Sequence, residues 1–148
     1  MNNHKSTTYF LCSILSILCL ILGGIVYLVY RTRTLLMFHF LSSDCISILD
    51  SAKTTVNIPN NTFTSFVVYS LPAALWTISY ILFMHLICID MPKIARLIWI
   101  YSLPILLCLV EFLQILPVIS GTFDIIDVLC YIIPIIVSLL IDIRNEKL

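Results

Sequence analysis

The sequence contains little charge. Only 11% of its 148 residues are Asp, Glu, Lys or Arg, against about 25% in soluble domains. The eight acids balance the eight Lys and Arg residues, so the formal net charge is zero and no basic surface of the kind that binds nucleic acid is indicated. With 61% hydrophobic residues and a mean hydropathy of +1.10, the composition predicts an integral membrane protein.

Catalytic signatures are also absent from the sequence. It has no HExxH, no GxSxG and no glycine-rich phosphate loop, and only three glycines in all. None of the six cysteines has CxxC spacing, which removes the common zinc and redox motifs. Five of the six lie in apolar segments, where free thiols pack as small apolar groups. We therefore predict no catalytic residue and no cofactor.

Four apolar segments are long enough to cross a bilayer core as helices, which takes about 20 residues each. They cover approximately residues 9–30, 72–89, 93–116 and 124–143. The predicted fold is all-α, with one membrane domain over residues 1–148 that forms a four-transmembrane-helix bundle. The first segment is predicted to be a retained anchor, because it ends in Tyr27, Tyr30, Arg31 and Arg33 and no small-residue cleavage site follows.

Two local features refine these segments. Pro72 predicts a break, with a short entry helix from Phe63 to Ser70 and the second span proper starting at the proline. Gly23 and Gly24 in the first span would allow a close approach of another helix.

The stretch from Leu35 to Ala52 has the pattern of an amphipathic helix. Its apolar residues recur at three- and four-residue spacing, with serines, His39 and Asp50 on the other side. Because it contains charged and polar residues, we predict that it does not cross the membrane but lies in the interface, within the first outer loop. Packing against the other helices is an open alternative.

The distribution of basic residues predicts the orientation. With a cytoplasmic N-terminus, five basic residues lie inside: Lys5, Lys93, Arg96, Arg144 and Lys147. Three lie outside: Arg31, Arg33 and Lys53. The positive-inside rule therefore favours both termini in the cytoplasm. The turn between spans three and four then faces away from the cytoplasm.

Polar residues gather around that turn. Glu111 and Gln114 share one face of span three, and Asp124, Asp127 and Tyr131 line one face of span four. A carboxylate within a membrane segment is costly, so it faces protein or water and commonly marks a functional site. These five residues are the predicted ligand-binding site. The stripe continues toward the C-terminus through Ser138 and Asp142.

Each of these residues also has a purely structural interpretation. Asp124 and Asp127 stand at the start of a helix, where acids cap free N–H groups. Glu111 and Gln114 can hydrogen-bond across helices. The trio Glu111, Asp124 and Asp127 could bind a divalent cation, but without a nearby histidine we predict no metal. His85 and Asp142 are interpreted as an ordinary satisfied histidine and a solvated charge.

At this turn the sequence resembles the VanZ-like family of small bacterial membrane proteins. The likeness rests on Glu111-x-x-Gln114, Gly121 in the turn and Asp127 at the start of the next span. Thr122 and Tyr131 stand where the family has Arg and Asn. The resemblance implies a helical bundle in the bacterial inner membrane with a cell-envelope role, such as tolerance to glycopeptide antibiotics.

The first functional hypothesis is thus a non-enzymatic envelope protein whose outward polar hairpin meets a lipid-linked head group or a drug. The alternative is an accessory or assembly subunit of a membrane complex, in which the polar stripes contact a partner's helices. An intramembrane hydrolase or transporter is disfavoured, because the chain has no recognisable nucleophile, phosphate clamp or inverted repeat.

Overall fold

The computed structural model describes residues 3–30, 40, 42–55, 62–116 and 122–146, and every regular element in these ranges is helical. Four helices are long and apolar enough to cross a membrane: Thr7–Tyr30, Phe63–Ile87, Lys93–Leu113 and Ile125–Asp142. The all-α class and the four span-length helices predicted from the sequence are confirmed.

The first helix, α1 (Asn3–Tyr30), pairs closely with α4 (Leu71–Ile87). At the centre of the pair, the Ser16 hydroxyl donates to the Ser79 carbonyl at 2.9 Å and the Ser79 hydroxyl donates to the Ser16 carbonyl at 2.8 Å. A Cβ at Gly23 would lie 2.7 Å from the indole Nε1 of Trp76. Small residues therefore set the approach of the two backbones, as predicted for Gly23, whereas Gly24 has open space around it.

The second span begins earlier than predicted. Residues Thr62–Ser65 form a short helix, α3, which continues through a π-helical segment, Phe66–Ser70, directly into α4. The π segment closes with the Leu71 N–H donating to the Phe66 carbonyl, five residues back. Pro72 follows at once, and its ring would crowd the carbonyl four residues before it in a regular α-helix. The wider π turn accommodates the proline, so the helix bulges here and does not break.

The remaining spans are α5 (Lys93–Leu113) and α6 (Ile125–Glu146). Helix α5 ends three residues before the predicted 116, because Ile115 and Leu116 tighten into turns that donate to Phe112 and Leu113. The predicted turn residues Pro117 and Gly121 lie outside the described residues.

A separate helix, α2 (Ser43–Thr55), covers the second half of the predicted amphipathic stretch, while residues 35–39 and 41 lie outside the described ranges. It contacts α1. Cys45 and Ile48, both on its predicted apolar face, are exposed. The location of this helix in the membrane interface stays a prediction.

Helix α4 contacts α1, α5 and α6. Its core contacts centre on Ile81, Ile100 and Tyr101. The spans alternate in direction, which gives the bundle two ends. The hairpin end contains the end of α5 and the start of α6, and the termini end contains the start of α1 and the end of α6.

Candidate functional site

Glu111 links the last turn of α5 to the first turn of α6. Its side chain is buried, with 6% of the residue exposed. Oε1 accepts the backbone N–H of Asp124 at 3.1 Å, and Oε2 accepts the side-chain amide of Gln114 at 3.1 Å. Both oxygens of this carboxylate are therefore engaged within the hairpin. Charge-assisted bonds of this kind are stronger than neutral ones, so Glu111 fixes where α6 begins.

Asp124 caps α6. Its Oδ1 accepts the backbone N–H of Ile126 at 2.8 Å, and its own carbonyl accepts the N–H of Val128 at 3.3 Å. This is the geometry of an N-cap, where an acid satisfies a free donor and complements the helix dipole. The capping contact predicted for Asp124 is therefore present.

A cavity of about 570 Å³ opens at the hairpin end; we call it the hairpin cavity. Its lining is mostly polar and includes all five residues of the predicted site. The described lining residues are Ser65, Phe66, Tyr69, Ser70, Glu111, Gln114, Thr122, Asp124, Ile126, Asp127 and Tyr131. Three of these carry carboxylates, and none is Lys, Arg or His. The structure thus brings the sequence-predicted residues together around one space.

A second cavity, of about 350 Å³, adjoins the first and extends toward the middle of the bundle; we call it the apolar cavity. It shares three residues with the hairpin cavity: Tyr69, Asp127 and Tyr131. The other lining residues are Tyr27, Pro72, Ala73, Trp76, Thr77, Tyr80, Leu103, Pro104 and Leu107. Tyr69, Asp127 and Tyr131 therefore form a seam between a polar and an apolar compartment.

The π segment contributes residues that the sequence analysis missed. Phe66, Tyr69 and Ser70 lie within it and line the hairpin cavity. A regular helix would rotate these side chains differently, and π-bulges are frequent at functional sites. The only signal in the sequence was Pro72, which we interpreted as a helix break.

A second polar cluster lies at the termini end. The Ser138 hydroxyl is 2.9 Å from His85 Nε2 and 2.9 Å from the Tyr101 hydroxyl. The Tyr101 hydroxyl donates to Asp142 Oδ2 at 3.4 Å, and His85 Nε2 lies 3.8 Å from the same oxygen. The sequence does not indicate that His85 and Asp142 are neighbours, although it places Ser138 and Asp142 four apart on one helix face.

This cluster is not arranged as a nucleophile triad. In a triad, one ring nitrogen contacts the hydroxyl and the other contacts the carboxylate. Here Nε2 of His85 faces both Ser138 and Asp142. The four side chains instead join α4, α5 and α6 through a shared hydroxyl, which is a structural role.

Among the described residues, no group of three His, Cys, Asp or Glu side chains is placed to hold a metal ion. The carboxylates of Glu111 and Asp124 instead accept backbone and amide N–H groups.

No family model, no curated protein and no solved structure matches the chain. The resemblance to VanZ-like proteins therefore stays a prediction carried by the hairpin residues.

Proposed function

We propose that the protein is a polytopic membrane protein whose hairpin cavity binds an amphipathic molecule of the cell envelope. In this proposal the role is non-enzymatic and VanZ-like, and the ligand is a lipid-linked head group or an amphipathic drug. The four span-length helices support the membrane location.

The observation that carries the proposal is the junction of the two cavities. A polar compartment of about 570 Å³ meets an apolar one of about 350 Å³ at Tyr69, Asp127 and Tyr131. Ligand sites are clefts of this size in which a few polar groups fix the orientation of a mostly apolar ligand. An amphiphile would place its head among the hairpin carboxylates and its tail beside Trp76 and Leu107.

The orientation belongs to the proposal as well. We infer a bacterial inner-membrane location with both termini in the cytoplasm, based on the excess of Lys and Arg in the inner loops. The hairpin cavity then opens toward the cell envelope, where tolerance to a glycopeptide antibiotic would be exerted. A Ser47→Cys variant in the exposed part of α2 should react with an impermeant thiol reagent on intact cells; reaction only after lysis contradicts this orientation.

Binding is tested through Trp76. The chain has two tryptophans, so Trp99→Phe leaves Trp76 as the single indole, and Trp76 lines the apolar cavity. Titration with a neutral amphiphile, octyl glucoside below its micelle concentration, should change the Trp76 emission saturably. Ala73→Phe, which fills the same cavity, should abolish the saturable change.

The matched control is Ile98→Phe, which adds an aromatic ring at a position on α5 that is 61% exposed. It should leave the titration unchanged. An emission change that is linear in amphiphile, or that survives Ala73→Phe, would reflect partition into the surrounding lipid and would contradict the proposal.

The alternative function, an accessory or assembly subunit, is favoured by the outer surface of α1. As in the other span-length helices, most of its residues are not buried within the chain, and large side chains such as Phe10, Leu11 and Ile17 are exposed. A partner's helices could cover this surface in place of lipid. If the subunit interpretation is correct, the protein is degraded in the absence of a co-expressed partner; stable accumulation of the protein expressed alone favours the ligand site.

A further inference from the structure

We propose that Asp127 is the ligand-facing anion of the hairpin site and that the ligand is an amphiphile with an amine-bearing, positively charged head. This inference rests on the function proposed above and specifies the chemical class of the ligand. It separates the five candidate residues into those that build the hairpin and those that face the ligand.

The three acids of the hairpin cavity differ in position. Glu111 and Asp124 lie at the junction of α5 and α6 and line the hairpin cavity but not the apolar cavity. Asp127 lies one turn into α6 and lines both cavities. It is thus the acid whose position matches the boundary between a ligand's head and tail.

The seam is chemically suited to a cation. The Tyr131 residue, four positions after Asp127 on the same helix face, also lines both cavities. An ammonium group has three donors and no acceptor, which matches the acceptor oxygens of a carboxylate and of phenol or serine hydroxyls. A phosphate at the same place would meet carboxylates of its own sign, which disfavours binding.

The aromatic lining is a second, independent indication. Two aromatic residues, Tyr69 and Tyr131, line both cavities and so lie at the position proposed for the head. The faces of aromatic rings attract cations, and recognition of ammonium ligands by surrounding aromatic residues depends on this attraction. A chain attached to such a head would extend from the seam toward Leu103 and Leu107, which line the apolar cavity.

The experiment compares three head groups carried on the same octyl chain. Trp99→Phe protein in nanodiscs of zwitterionic lipid is titrated with octylammonium, octanol or octyl phosphate, with Trp76 emission as the readout. We expect octylammonium to bind about tenfold or more tightly than octyl phosphate, since a charge-assisted hydrogen bond forms with one head and is lost with the other. Equal or tighter binding of octyl phosphate overturns the inference.

Variants assign the preference to one carboxylate. Asp127→Asn should reduce the ammonium-to-phosphate ratio to about threefold or less, and Asp127→Glu should retain the preference. Asp90→Asn removes an exposed carboxylate near the other end of the bundle and should retain the preference as well. If the ratio of octylammonium to octyl phosphate affinity is unchanged in Asp127→Asn, the assignment to Asp127 is refuted. The same holds if Asp90→Asn lowers this ratio as much as Asp127→Asn does.

Different results would contradict the proposed amphiphile binding and the preference for a positively charged head. If no octyl compound gives a saturable signal that Ala73→Phe removes, the proposed function itself fails. If all three compounds bind saturably and equally, the cavity is an amphiphile site and only the charge preference is wrong.

Discussion

At the residue scale, carboxylates with the same formal charge have different tasks according to their hydrogen bonds. Glu111 and Asp124 hold backbone and amide N–H groups at the junction of α5 and α6. These hydrogen bonds hold the start of α6 against the end of α5, and the one accepted by Asp124 is a helix cap.

Asp124 provides the sharpest test of this distinction. Asp124→Ala should lower the free energy of unfolding by about 1 kcal/mol, because the N–H of Ile126 loses its cap. Asp124→Asn keeps an oxygen for the same bond and should be nearly neutral. The comparison is made as thermal midpoints in maltoside micelles; equal losses for Ala and Asn would show that charge, not capping, is the contribution of this residue.

Gly23 is a second residue-scale case. A methyl group at this position would lie 2.7 Å from Trp76 Nε1 and 2.8 Å from its Cδ1, so Gly23→Ala should displace the indole and loosen the contact between α1 and α4. The neighbouring Gly24→Ala meets no atom within 4 Å. It should be neutral or slightly stabilising, since alanine is favoured over glycine inside a helix by about 1 kcal/mol.

The thermal midpoint and the Trp76 emission are measured for Gly23→Ala and for Gly24→Ala to test these two expectations. The predicted result is a lower midpoint and a shifted emission maximum for Gly23→Ala alone. The same response from both variants would mean that helix propensity, rather than the close contact with Trp76, dominates at these positions.

At the element scale, helix α6 presents one polar face with different functions at its two ends. At the hairpin end, Asp127 and Tyr131 line cavities, whereas at the termini end Ser138 and Asp142 join the cluster with His85 and Tyr101. Ser138 is central to the second arrangement because its hydroxyl is within hydrogen-bonding distance of both His85 and Tyr101. The cluster therefore fixes α4 and α5 against α6.

Ser138→Ala tests that role. It removes the hydroxyl that lies 2.9 Å from both His85 and Tyr101 and leaves them only their longer contacts with Asp142. Loss of a buried hydrogen-bond partner costs about 1–3 kcal/mol. Ser102→Ala is the matched control: that residue is exposed and its hydroxyl donates to a carbonyl of its own helix. The control should change stability by no more than about 0.5 kcal/mol. If the unfolding curves of the two variants coincide, the hydrogen bonds of Ser138 do not stabilise the packing of α4 and α5 against α6.

The extent to which the sequence predicts the elements depends on the type of signal. Long apolar runs predicted four helices of spanning length, because backbone groups and apolar side chains leave few other solutions at such hydropathy. The π segment before Pro72 was not predicted, because a proline indicates where regular α-helix geometry fails but not how the chain adapts. Its consequence, Tyr69 in both cavities, was therefore missed as well.

At the scale of the whole molecule, helical spacing placed the five candidate residues on facing sides of α5 and α6. It could not separate their roles, because the hydrogen bonds of Glu111 depend on where α6 starts relative to α5. Nor could it pair His85 with Ser138, which are 53 positions apart in the chain. Contacts between distant residues depend on how the helices pack against one another. The spacing of residues along a single sequence does not show which helices pack together.

The central claim is that the joined cavities hold an amphiphile in the membrane. Its most direct test is native mass spectrometry of the protein purified from its own membrane, alongside Ala73→Phe and Ile98→Phe. The account predicts a bound amphiphile on the unaltered protein and on Ile98→Phe, and its loss from Ala73→Phe, in which the added ring occupies the apolar cavity. Identical spectra from the unaltered protein and Ala73→Phe would contradict the account.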